Sequence, residues 1–250
     1  MINNDLPITR SSQDKLNRKQ FVQSLARILS NYSSASSFTI GLYGAWGSGK
    51  TSLMNMVLEQ VERSDKGIII LRFNPWLCSD PKQMINQFFK QLSVAVKLKS
   101  PVKDVVWKLI DEYADVFMNT AIASLINVKT GGLFRKLVHF ILKWRPEKND
   151  DLQAIKAQIV QELLEKKRKI IVSIDDIDRL SDCEIIAVFQ LVKALADFPN
   201  TIYLLAFDYD VVIHALSKVQ YGDGKEYLEK IVQMPFEIPE PAPESIQESF

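Results

Sequence analysis

Residues 44–51 read Gly-Ala-Trp-Gly-Ser-Gly-Lys-Thr, a G-x-x-x-x-G-K-[ST] octet. Such an octet can cradle a triphosphate with few parts. Gly44, Gly47 and Gly49 let backbone N–H groups converge on phosphate oxygens, and Ala45, Trp46, Ser48 and Ser52 complete the binding segment. Lys50 is placed to reach the β- and γ-phosphates, and the Thr51 hydroxyl to ligate Mg²⁺. At background residue frequencies the pattern arises by chance in roughly one chain of this length in a hundred. A glycine turn between a strand and a helix is the plain alternative, so the surroundings decide.

A second group of residues supplies the missing half of such a site. The apolar run Ile170 to Ile174 ends in Asp175-Asp176. Acids delivered by a buried strand sit at the carboxyl edge of an open α/β sheet, where ligands bind. Asp175 is expected to face the Thr51–Mg²⁺ sphere, through water, because Mg²⁺ keeps several waters. Asp176 points differently, since side chains alternate along a strand. It is the candidate to orient or deprotonate an attacking water. The alternative is a strand end capped by solvated acids. Arg179 could contact phosphate, contact a neighbouring subunit's nucleotide, or pair with Asp178. Asp208, closing a later strand, could sense the γ-phosphate or cap the helix 209–216. Ser181-Asp182-Cys183-Glu184 is a capping box, so Glu184 reads as a cap rather than a base. His139 and His214 are the only histidines and suggest no metal site.

Strands and helices must hold these groups. Phe38 to Tyr43 reads as the buried strand before the loop, and Thr51 to Glu62 as the helix after it, with Leu53, Met56, Val57 and Val61 inward. That helix would aim its N-terminal dipole at the phosphates. Gln13 to Ser30 reads as an amphipathic helix with Leu16, Phe21, Leu25, Ile28 and Leu29 on one face. Ile68 to Phe73 is continuously apolar until Arg72 and predicts a central strand, ended by Asn74-Pro75-Trp76. Asp80-Pro81 starts a helix with Met84, Ile85, Phe88, Phe89 and Leu92 inward. Asp151 to Arg168 is a further helix whose Lys166–Lys169 end reads as a complement to its dipole rather than a nucleic-acid patch. Thr201 to Phe207 is the next strand.

Residues 100–150 read as a helical insertion. Ala121–Leu125 and Leu137–Leu142 fall short of the roughly 18–20 apolar residues of a membrane span. Trp107, Trp144, Lys136, Lys143 and Arg145 also fit an interfacial element, which would allow peripheral membrane contact. The breakers Pro239, Pro241 and Pro243 precede the start of a helix, so residues 241–250 are expected to open a C-terminal helical region of a longer protein.

The chain of 250 residues is 47% hydrophobic and 24% charged, enough for one sizeable α/β core. A net charge of +1 and no basic-aromatic stripe argue against a DNA-dependent motor. Cys78 and Cys183 match no metal spacing and suit a reducing cytosol as small core residues. No Leu-Ser-Gly-Gly-Gln transporter signature occurs. A small-molecule kinase fits the octet alone, but the paired acids favour hydrolysis.

Together these residues resemble the KAP family of P-loop NTPases. The likeness lies in Gly44 to Ser52 with its internal Trp46-Gly47, Phe73 to Trp76, Ile174 to Arg179, and Ala206 to Asp208. Tyr227 to Gln233, followed by Pro235-Phe236 and Ile238-Pro239, completes it. Asp14 to Arg18 is similar to a D-x-L-G-R-like segment near the base in related ATPases, with Asn17 replacing the glycine. The resemblance implies a three-layer α/β fold with a mainly parallel central sheet of the additional-strand type over residues 1–240. Thr201–Phe207 would lie between the loop strand and the Asp175 strand, and Val232–Ile238 would come last. It also implies binding and hydrolysis of ATP with Mg²⁺ as a signalling or phage-defence switch, with self-association or a protein partner. Many members carry membrane helices where 100–150 lies. A nucleotide-binding scaffold with incidental hydrolysis is the alternative.

Overall fold

The computed structural model describes residues 6–78, 80–101, 104–119, 150–218 and 223–239. Within them, five apolar runs form strands: β1 (Phe38–Tyr43), β2 (Ile69–Phe73), β3 (Ile170–Ile174), β4 (Thr201–Phe207) and β5 (Met234–Glu237). They make one all-parallel sheet in the order β2-β3-β4-β1-β5. β4 therefore separates β1 from β3, as the additional-strand arrangement predicts. The register sets Tyr43 beside Phe207, and both Ile174 and Ile40 beside residues of β4, Leu205 and Leu204. All carboxyl ends consequently share one edge, which is where the octet and the acids emerge.

A parallel sheet has to be covered on both faces. Along β4, Ile202, Leu204 and Ala206 face one layer, while Tyr203, Leu205 and Phe207 face the other. The first layer is α1 (Lys19–Asn31) and α2 (Lys50–Ser64), packed through Leu25, Leu29, Leu53 and Val57. The second comprises α3 (Pro81–Leu98), α4 (Val106–Met118), α5 (Asp150–Glu165), α6 (Asp182–Gln190), α7 (Tyr209–Ser217) and α8 (Gly224–Glu229). This is the expected three-layer α/β fold.

Several boundaries differ from the sequence reading. β2 is an edge strand, not a central one. Its run is apolar because helices cover both its faces: Leu71 and Phe73 pack toward α3, and Ile70 toward the opposite layer. Lateral position leaves no mark on such a pattern. The helix expected from Gln13 starts at Lys19, and the half-buried Leu16 lies in the turn before it. Asp14 breaks the helix by accepting the amides of Leu16 and Arg18 at 3.0 and 2.7 Å. Cys78 and Cys183 are half-buried thiols rather than core residues.

The insertion begins as ordinary helical packing. α4 buries Val106, Ile110, Tyr113, Ala114 and Phe117 against its neighbours. Trp107 is part of that packing, its ring lying under Lys97 Nζ at 4.4 Å. Ala121–Leu125, Leu137–Leu142, Lys136, His139, Lys143, Trp144, Arg145 and residues 241–250 lie outside the described residues. Among the described residues, no helix is long and apolar enough to cross a membrane. α5 ends at Glu165, so Lys166 and Arg168 lie at and just beyond its C-terminus and have a second task. They hold the buried Asp104 carboxylate at 3.0 and 2.8 Å, tying the start of α4 to the start of β3.

Candidate nucleotide-binding site

The octet leaves β1 at Tyr43, and the Gly44 amide donates to Phe207 O at 3.3 Å, so the loop begins tied to β4. Gly47 and Gly49 have φ of +80° and +83°, a region strained for any side chain. Gly49 is the N-cap of α2, which brings the free amides of the first helical turn to the loop. Lys50 is folded back on this hollow. Its Nζ donates to Gly44 O at 2.9 Å and Ala45 O at 3.1 Å. It also pairs with Asp178 Oδ2 at 3.2 Å. The Ser48 hydroxyl oxygen is buried without a hydrogen-bond partner.

Asp175 and Asp176 follow the end of β3 and diverge because Asp176 turns into a left-handed conformation, not by strand alternation. The Thr51 hydroxyl donates to Asp175, which also accepts the Asp176 amide at 2.9 Å. Burial pushes the Asp175 carboxyl up; those two hydrogen bonds oppose the rise, and Asp176 and Asp178 add to it. Asp176 has φ of +57°, a conformation that Asp tolerates better than most residues. Its Oδ2 accepts Asn74 Nδ2 at 2.9 Å, and its Oδ1 meets Arg179 Nε at 2.7 Å. Arg179 therefore pairs with Asp176, not with Asp178. Asp208 caps α7, accepting the amides of Asp210 and Val211 at 3.1 and 3.4 Å. Glu184 closes its capping box on Ser181.

Trp46, Lys50, Thr51, Asp175, Asp176, Asp178 and Arg179 line one cleft of about 380 Å³, and Asp208 and Glu184 lie outside its lining. A larger cleft of about 570 Å³ lies by the amino ends of β2 and β3 and contains none of them.

Three contributors escaped the sequence reading, and a fourth, Arg18, was expected only as part of a segment near the base. Asp178 stood in view beside Asp175-Asp176, but nothing local marks it as the partner of Lys50. Asn74 was legible only as a strand end; its side chain also accepts the Trp76 amide at 3.0 Å. Arg18 is buried beneath the loop, where Nη2 donates to Ser48 O at 3.0 Å and Pro239 O at 3.3 Å. Burial pushes its guanidinium pKa down, against the pull of Asp14. Asn17, replacing the expected glycine, has φ of +56°, and Asn is the usual substitute in that region. The last is the segment before α1. Ile8 N donates to Ser52 Oγ at 3.2 Å, Asn55 Nδ2 to Ile8 O at 3.2 Å, and Ser11 N to Glu59 Oε2 at 2.7 Å. Leu6 and Pro7 thereby reach the cleft wall.

A match to the KAP family P-loop domain covers residues 18–250. The chain belongs to the KAP family of P-loop NTPases. Among curated relatives of this KAP domain, the phage T7 exclusion protein of Escherichia coli (strain K12) is 26% identical over 269 residues. That alignment takes in 98% of this chain and 36% of the relative, so the KAP domain here spans a little over a third of that protein. Two solved structures from Aeropyrum pernix are similar at a coarse level. The ORC1 protein in complex with DNA has a TM-score of 0.43 and 13% identity, covering 93% of this chain and 47% of its own. The ORC2 protein in ADPNP–ADP complexes has a TM-score of 0.41 and 14% identity, covering 89% and 48%. Likeness at that level bears on neither the ligand nor the activity of the KAP domain.

Proposed function

We propose that this KAP domain binds ATP with Mg²⁺ and hydrolyses it slowly, by attack of water on the γ-phosphate. One observation carries the reading. Lys50 and Thr51 from the octet meet Asp175, which follows β3, in one cleft. The unpartnered Ser48 hydroxyl and the left-handed Gly47 and Gly49 fit a loop shaped for phosphate oxygens.

The residues have separable tasks. Gly44 to Ser52 would wrap the phosphates through backbone amides. Lys50 would exchange Asp178 and two carbonyls for the β- and γ-phosphates. Thr51, and Asp175 through water, would hold Mg²⁺, whose use of few protein ligands suits so small a donor set. The ion would offset charge on the phosphate oxygens. Asp176, with Asn74 fixing one carboxylate oxygen, would orient the attacking water. Stabilising developing charge with fixed donors is the main source of rate in phosphoryl transfer.

The bound nucleotide would act as a switch toward a protein partner or a second copy. The exclusion-protein relative supports a phage-defence setting. The net charge of +1 gives no pull toward nucleic acid. The half-buried thiols of Cys78 and Cys183 suit a reducing cytosol.

The test compares ATP binding and turnover in the wild type, Lys50→Ala and Asp176→Asn. The wild type should hydrolyse ATP. Lys50→Ala should lose both binding and turnover. Asp176→Asn should bind normally and turn over about 100-fold more slowly. Equal turnover by all three would overturn the assignment.

A further inference from the structure

Arg179 has no task in that mechanism, yet it is held by two aromatic rings and a carboxylate. Its guanidinium carbon lies 4.6 Å from the ring centroid of Trp46 and 5.5 Å from that of Trp76. Trp46 belongs to the phosphate loop and Trp76 to the turn after β2. Both indoles are largely exposed, at 69% and 53%. They add little to the core, and what they share is Arg179. Stacking of guanidinium on indole leaves its edge donors free. Nε uses that freedom to reach Asp176 Oδ1 at 2.7 Å. With Asn74 on Oδ2, both oxygens of Asp176 are engaged.

Arg179 also lines the phosphate cleft. A γ-phosphate there would compete with Asp176 for the same guanidinium. Phosphate carries more charge and offers oxygens for a two-pronged contact, so it is the stronger partner.

We propose that Arg179 is a positioning residue that keeps Asp176 idle in an ion pair, seated between Trp46 and Trp76, until a γ-phosphate draws it away. The effect on rate rests on the hydrolysis reading; the movement of Arg179 does not. Phosphate binding at the loop is thereby coupled to release of the carboxylate that orients water.

The test uses the full chain and tryptophan emission, because two of its four tryptophans form the seat. Emission is followed during titration with Mg-ADP and with a non-hydrolysable ATP analogue plus Mg²⁺. In the wild type the analogue should produce a change that ADP does not. Arg179→Ala and Arg179→Lys should abolish that difference, since Lys has neither the planar face nor Nε. Arg179→Ala should also weaken binding of the analogue at least about threefold while ADP affinity changes less than about twofold. Trp76→Ala removes one wall of the seat and should reproduce the loss of the emission difference if Arg179→Ala fails to fold.

A γ-phosphate-specific change that persists without Arg179 would overturn the proposal. So would an analogue affinity unchanged in Arg179→Ala. A wild type that shows the Arg179-dependent emission change but no turnover would support the movement and sink the hydrolysis reading instead.

Discussion

Lys50 Nζ and Asp178 Oδ2 stand 3.2 Å apart, with their side chains only 9% and 6% exposed. Asp178 thus occupies the cation that a triphosphate needs. The pair is buried, so solvent screens it weakly and each partner depends on the other. Binding of a nucleotide becomes an exchange of anions on Lys50 rather than the simple filling of an empty cradle.

Asp178→Asn should therefore separate stability from affinity. Without nucleotide, the variant should lose about 1–3 kcal/mol, because Lys50 keeps its charge and loses its counter-ion. Triphosphate binding should tighten by about tenfold, or 1.4 kcal/mol, because no carboxylate competes. Thermal unfolding with and without Mg-ATP, alongside equilibrium binding, checks both. Weaker binding in Asp178→Asn would show that Asp178 assists the phosphate site.

Arg18 should matter to the loop without touching the nucleotide. One nitrogen bridges Ser48 O and Pro239 O, which joins the octet to the chain after β5. Arg18→Met should cost about 2–3 kcal/mol, the scale of hydrogen bonds made by a charged donor. It should also weaken ATP binding by more than about tenfold. Arg18→Lys restores charge but not the fork, so it should recover only part of either loss. Urea unfolding and binding isotherms of the three proteins decide the matter; unchanged binding in Arg18→Met would refute the bridge's role.

Glu59 should make the attachment of the N-terminal segment sensitive to pH. The Ser11 amide holds its carboxyl below the ordinary value of 4.5; burial opposes this, and the Ser11 hydroxyl, Arg63 and Arg10 reinforce it. A carboxyl titrating lower in the folded chain contributes stability that is complete above 4.5. That contribution is lost as pH falls through the depressed folded value. Glu59→Gln should therefore loosen residues 6–13 at pH 7, at a cost of about 1 kcal/mol. Below that depressed value the wild type should converge on the variant. Amide exchange of Ile8 and Ser11 against pH measures this. Because Leu6 and Pro7 line the cleft, ATP affinity should fall a few-fold in step.

Much of the site was legible because its motifs are local. The octet encodes its loop through glycines that alone accept the backbone angles found at Gly47 and Gly49. The run Ile170–Ile174 announces a buried strand, and the acids at its end announce a sheet edge. Ser181 and Glu184 cap a helix through contacts three residues apart. The resemblance added strand order and the value of Phe73 to Trp76. The misread features share one property: they depend on what lies across a gap. The run Ile68–Phe73 looks the same at the edge as in the middle when helices cover both faces. The helix expected from Gln13 fails because Asp14 takes backbone amides that a helix needs. Lys166 and Arg168 at a helix end give no sign that they also hold Asp104, within 3.0 Å of both.

The sequence by itself determined that a glycine loop, an acid pair at the sheet edge and a parallel core exist, because each follows from backbone stereochemistry and side-chain period. Only the tertiary structure decided which charge meets which. Asp176 could have faced solvent, phosphate or a neighbour. It meets Asn74, 102 residues away in the chain, and Arg179, three residues on. Adjacent charges of both signs permit several pairings along a sequence, and only packed distances of about 3 Å, with solvent excluded, select among them.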